Sequence, residues 1–179
     1  MSARGKTPAV VMAYTNLQEQ AVAAVKESGH DLITVDVSGS DDAYWNLFDQ
    51  LWKAKQTFVV VEHDIVVSPD AIDELLMCAS PWCGFVMPYC GTWYSGLSCT
   101  KFEASILKAH PKALQKVATM SDVGHGQKHW CRLDGWLQGV LNGWGEEKHE
   151  HRGHIGHIRD GQVRYGLTDG VMPSHDCWR

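Results

Sequence analysis

QTFVVVEHDIVVSPDAIDELL, residues 56–76, sets an acid–histidine–acid triplet between two apolar runs. TFVVVEHDIVV (57–67) is rich in β-branched residues and reads as a strand. Ser68 and Pro69 then open a helix, because serine caps well and proline is tolerated in a first turn. Ile72, Leu75, Leu76 and Ala79 would be its apolar stripe. Charged groups are costly to bury without partners, so Glu62, His63 and Asp64 need a physical reason to lie there.

Upstream, the same alternation repeats twice. PAVVMAYT (8–15) is an apolar strand ending in polar Thr15 and Asn16. LQEQAVAAVKESG (17–29) spaces Leu17, Ala21, Ala24, Val25 and Ser28 as a helix, with Gly29 as its stop. DLITVDVS (31–38) alternates as a strand, and SDDAYWNLFDQLWKAK (40–55) puts Trp45, Phe48 and Trp52 on one helical face. A βαβαβα order implies a mostly parallel sheet with right-handed crossovers, whose ligands bind beyond the carboxyl ends of the strands. Thr15–Asn16, Asp36–Ser38 and Glu62–Asp64 all fall at those ends, so the fold class is α/β with one polar rim.

The second half is less regular. GFVMPYCGTWYSGLSC (84–99) gives a strand and a Gly- and aromatic-rich loop, and TKFEASILKAH (100–110) opens with a capping box, Thr100 with Glu103. LDGWLQGVLNG (133–143) has helical spacing, and GHIGHIRDGQVRYG (153–166) reads as a short C-terminal hairpin about Asp160–Gly161. With 179 residues and no repeat or linker, the expectation is a single unit over 1–179. Within it, residues 8–80 form the regular βαβαβα part and 81–179 the less regular part.

Net charge of −5 argues against a general binder of phosphate backbones, although Lys101, Lys108, Lys112, Lys116 and Lys128 could line a basic groove. No secretory signal and no stretch of transmembrane length is read, and the six scattered cysteines contain no CxxC, which fits reduced thiols and a cytoplasmic location. Most of the eight tryptophans and ten histidines fall after residue 80, and the short, tryptophan-rich chain is compatible with a homodimer.

In a continuous strand Glu62 and Asp64 would share one face, with His63 opposite. Two adjacent carboxylates repel unless a proton or cation lies between them, and a divalent metal would resolve the conflict. The alternative is a strand leaving the core, where acids simply meet water.

VVVEHDIVVSPDAIDELL (59–76) resembles the acid-x-Asp metal motif of the nucleotide-sugar glycosyltransferases of the A-type fold, with Glu in place of the usual first Asp. GTWYSGLSCTKFEASIL (91–107), CRLDGWLQGVL (131–141) and HRGHIGHI (151–158) are similar, in order, to the segments that follow in that family. The chain is short for this fold, as in small bacterial or phage-like members. The resemblance implies a Rossmann-like domain and transfer of a sugar from a nucleotide-diphosphate donor to an acceptor hydroxyl. It implies Mn²⁺ or Mg²⁺ at Asp64, with Glu62 and either His157 or His154 completing the shell, His157 being preferred. Tyr14, Thr15, Asn16 and Asp36, with Glu62 and His63, would contact the donor; Trp93 and Tyr94 would stack on the acceptor. Asp134 would be the general base of an inverting reaction, or else a helix cap. The acceptor (a sugar, a protein or a modified DNA base) is not readable.

Two rivals stand beside this reading. One is a histidine-rich zinc module using residues 149–157 and Cys177; the other is an inactive domain that only binds a nucleotide sugar or glycan.

Overall fold

The computed structural model describes residues 7–89, 92–120, 126–153 and 155–165. Its elements run β1 (Ala9–Tyr14), α1 (Glu19–Glu27), β2 (Leu32–Asp36), α2 (Ala43–Ala54), β3 (Phe58–Val61), β4 (Ile65–Val67), α3 (Ala71–Met77), β5 (Trp82–Phe85), β6 (Met87–Tyr89), β7 (Thr92–Tyr94), β8 (Cys99–Phe102), α4 (Ala104–Ala109), α5 (Ala113–Ala118), α6 (Trp130–Gly143), β9 (His149–His151), β10 (Ile155–Arg159) and β11 (Gln162–Arg164). The molecule is mixed α/β with a mostly parallel central sheet in the order β2-β1-β3-β8-β5-β9. Only β8 runs against its neighbours β3 and β5.

β3 is buried at all four positions because both faces of the sheet are covered. On one face Phe58, Trp82 and Phe102 lie level across β3, β5 and β8. Phe102 stacks on both neighbours, with ring centroids 5.3 Å from Phe58 and 6.0 Å from Trp82. Phe48 and Trp52 of α2 close over these rings, joined by Leu133, Leu137 and Leu141 of α6. Each well-placed aromatic pair adds about 0.5–1.5 kcal/mol beyond simple area burial. The other face carries Val10, Val59, Val61, Cys83 and Phe85 against α1, α3 and Ile65 of β4.

The triplet does not lie in one strand, as the apolar runs on either side had implied. The Ile65 amide donates to Glu62 O at 3.1 Å, so residues 62–65 turn the chain between β3 and β4. β4 then leaves the central sheet and joins a second one of order β11-β10-β4. Apolarity alone could not reveal this break, because both short strands are apolar throughout, β3 fully buried and β4 at Ile65 and Val67.

Two helix starts also differ from expectation. α3 begins at Ala71, with Ser68, Pro69 and Asp70 in the turn before it; the Ala71 amide donates to Ser68 O at 3.1 Å. Thr100 belongs to β8 rather than to a capping box, and Glu103 is the residue before α4. Lys101 is buried at 1% exposure, its ammonium donating to Cys78 O at 2.6 Å and Glu103 Oε1 at 3.0 Å, so it cannot line a surface groove. The hairpin of β10 and β11 turns at Asp160 and Gly161, both with positive φ (50° and 74°), as a two-residue turn matched to strand twist requires. Among the described residues no helix is long and apolar enough to cross a membrane.

Candidate functional site

The site grows from the turn after β3. The Glu62 amide donates to Ser98 O at 2.8 Å, which pins the turn to the segment before β8. β4 pairs with β10 so that Ile65 lies opposite His157. That register brings His157 Nε2 within 3.0 Å of Asp64 Oδ2, across 93 residues of sequence, while the Ile158 amide donates to Asp64 O at 2.7 Å.

From the far side, α6 delivers Asp134. This helix begins at Trp130, so Asp134 lies within it rather than at its cap. Its carboxylate accepts from Tyr94 Oη at 2.7 Å and from the Leu97 amide at 2.9 Å. Gly96 makes this approach feasible. A Cβ there would strike the Tyr94 ring and lie 2.5 Å from Asp134 Oδ1. Gly96→Ala should therefore cost about 1–3 kcal/mol in denaturant unfolding through overpacking, and should also loosen the Tyr94–Asp134 bond.

The charges interact as a group. Burial, then the nearby Asp134 and Asp64 carboxylates, push Glu62 well above the usual carboxyl range, with Lys148 acting against them. Burial also works to raise Asp64, but the hydrogen bond and charge of His157, with His63 close by, outweigh it and hold that carboxyl below its ordinary value. Tyr44 of α2 is pushed well up, first by burial and then by Glu62, Asp134 and Asp64. Its hydroxyl is buried with no hydrogen-bond partner among the described residues.

Lys148 is the cationic counterweight. Its ammonium donates to Gly96 O at 2.5 Å, and burial lowers it to about 8 against the opposing pull of Asp134 and Glu150. A lysine whose folded value is depressed binds fewer protons when folded, so stability should rise with pH between about 8 and 10.5. The gain is at most about 3 kcal/mol. The buried thiols of Cys83 and Cys99, both pushed up to about 12, oppose this gain equally in any variant. Chemical denaturation at pH 7.5 and 9.5, with a chelator present, should therefore show it as a wild-type minus Lys148→Met difference that shifts in favour of the wild type as pH rises.

The remaining expected residues divide. Tyr14 is half-buried at the end of β1, and Thr15 and Asn16 follow it, exposed. Asp36, opposite Tyr14 in register, is held below its ordinary value by the Ser38 hydroxyl (2.7 Å) and the Ser38 amide (2.9 Å). These residues share the carboxyl rim with Glu62, because β2, β1 and β3 are parallel neighbours. Tyr94 reaches Asp134, whereas Trp93 lines a cavity of about 570 Å³ with Glu27, Val66, Pro69 and Tyr165, which Glu62, Asp64 and Asp134 do not line, so the two aromatics do not face one site. His154 and Cys177 lie outside the described residues. Tyr44, Gly96 and Lys148 carried no sequence signal, since each comes into place only through packing.

Asp64 and His157 place an oxygen and a nitrogen donor in contact, and the charge of Asp64 acts on Glu62 close by. Among the described residues, however, the one group of three whose ligand atoms converge within 4.8 Å is Cys78 with His149 and His151.

No protein-family model matches the chain, and no curated protein does. Among solved structures it is similar to A197 from STIV, with a TM-score of 0.54 at 8% identity, covering 93% of this chain and 96% of that one. The likeness is one of fold. A glycosyltransferase involved in the glycosylation of the major capsid of PBCV-1 superposes with a TM-score of 0.49 at 10% identity, covering 80% of this chain and 81% of that one, too distant to bear on activity. Any functional reading therefore rests on the site itself.

Proposed function

We propose that this protein is a metal-dependent glycosyltransferase, moving a sugar from a nucleotide-diphosphate donor to an acceptor hydroxyl with inversion. What supports the proposal is the His157–Asp64 hydrogen bond beside the turn after β3, together with the mutual influence of the Glu62, Asp64 and Asp134 charges. Neither a core nor a plain surface accounts for three carboxylates whose charges work against one another around a buried phenol.

In this reading Asp64 and His157, with Glu62, hold Mn²⁺ or Mg²⁺. A cation held there would supply neutralisation of the charge on the departing nucleoside diphosphate. Tyr14, Thr15, Asn16 and Asp36 on the rim take the nucleoside. The acceptor oxygen bonds to the anomeric carbon as the bond from that carbon to the diphosphate oxygen breaks, and Asp134 receives the hydroxyl proton. Tyr94 and the Leu97 amide aim that carboxylate, and each of its oxygens retains a second lone pair for the work.

Donor leakage tests the reading. A panel of sugar nucleotides, each with and without Mn²⁺, is assayed for released nucleoside diphosphate. Metal-dependent release from one donor supports transfer. Metal-dependent nucleotide binding without sugar release from any donor would favour the inactive binding domain. Silence in both assays would remove the proposal.

A further inference from the structure

We infer that Cys78, His149 and His151 form a zinc site separate from the Asp64 site. Cys78 follows α3, and the two histidines stand two apart on β9, so both rings project from one face of the strand. Cys78 Sγ lies 3.3 Å from His149 Nδ1, which is in turn 3.3 Å from His151 Nε2. The three ligand atoms all fall within 4.8 Å of one another. Tetrahedral zinc with bonds of about 2.0–2.3 Å separates its ligand atoms by about 3.3–3.6 Å, so the two 3.3 Å spacings match a loaded site.

The surroundings support each ligand. Glu74 Oε1 sits 2.6 Å from His151 Nδ1, so that nitrogen donates its proton to the carboxylate and Nε2 presents a lone pair to the metal. The Cys78 backbone is held on both sides. Its amide donates to Glu74 O at 3.1 Å, and its carbonyl accepts from buried Lys101 at 2.6 Å. His151 is buried and His149 exposed, which leaves a solvent-facing fourth position for water. Cys83, close by, is fully buried, and its thiol donates to Leu75 O at 3.7 Å. A thiolate with two imidazoles selects zinc over the hard cations suited to the Asp64 site.

β9 is the edge of the central sheet, three strands from β3 and hence about 14 Å away at ordinary strand spacing. Zinc there would fasten a three-residue edge strand to the end of α3. It would also fix Lys148, the residue before that strand, which reaches toward Asp134.

The test uses the full chain loaded with zinc or with cobalt(II). One equivalent of zinc should survive dialysis in the wild type and in Asp64→Asn, and be lost in Cys78→Ser and His151→Ala. The cobalt form should show a thiolate charge-transfer band that Cys78→Ser lacks. Glu74→Gln should weaken zinc about 10–100-fold while leaving that band in place. A wild type that binds no zinc, zinc that is lost in Asp64→Asn, or cobalt without a thiolate band would each overturn the site. If Cys78→Ser fails to fold, Cys177→Ser decides the matter: it should keep the zinc and the thiolate band, and loss of the band there would overturn the site.

Discussion

Asp134→Asn is expected to lower sugar transfer by about 10²–10⁴-fold while leaving donor affinity essentially unchanged. A group that acts only on the acceptor proton contributes in the transition state and hardly at all to donor binding. The substitution also has a structural consequence that must be separated from the chemical one. Asp134 accepts two hydrogen bonds, from Tyr94 Oη and the Leu97 amide, through different oxygens. Asparagine offers one acceptor oxygen, so one of these donors faces an amide NH₂ instead, at a cost of about 1–3 kcal/mol if it stays unsatisfied. Tyr94→Phe removes one of the same bonds and keeps the acid. If Asp134 is the base, Tyr94→Phe retains most turnover and keeps the acidic limb of the pH–rate profile, and Asp134→Asn loses both. Equal losses in the two variants would reduce Asp134 to a positioning residue.

The alternation of apolar strands with amphipathic helices made the parallel part of the sheet legible, because β1 and β3 are buried runs and Trp45, Phe48 and Trp52 recur at helical spacing. The break at Glu62–Asp64 was hidden, since nothing local distinguishes one long buried strand from two short ones that join different sheets. The placing of β8 between β3 and β5 was likewise unreadable, being a choice among pairings far apart in sequence. The acids stood out at sequence level for being expensive where they were. Their neighbours did not: Tyr44 sits among the aromatic residues of α2, and Lys148 sits in an ordinary charged stretch. The histidine cluster was visible as composition, yet only strand register divides it, sending His157 to Asp64 and His149 and His151 to Cys78.

Asp64→Asn should lower metal-dependent transfer by about 10³-fold, or about 4 kcal/mol, the scale of charge neutralisation at a departing diphosphate. It should also abolish any melting shift produced by nucleotide together with Mn²⁺. Comparison with Glu62→Gln sharpens the expectation, because the two acids act on the metal-free protein in opposite directions. Asp64 is held below its ordinary value, so it stabilises the fold above the unfolded carboxyl range, and that contribution is lost as pH falls through its folded value. Glu62 is pushed up, so its ionisation opposes folding, and stability declines as pH rises from the unfolded value through the folded one. At neutral pH and without metal, Asp64→Asn should therefore lower the melting temperature and Glu62→Gln should raise it. If both acids hold the cation as proposed, both variants should respond to Mn²⁺ and donor less than the wild type, since each replaces an anionic carboxylate by a neutral amide and removes part of the negative charge that attracts the cation. A Glu62→Gln protein that is more stable without metal and still fully responsive to it would mean that Glu62 lies beside the cation without holding it, leaving Asp64 and His157 as the binding pair.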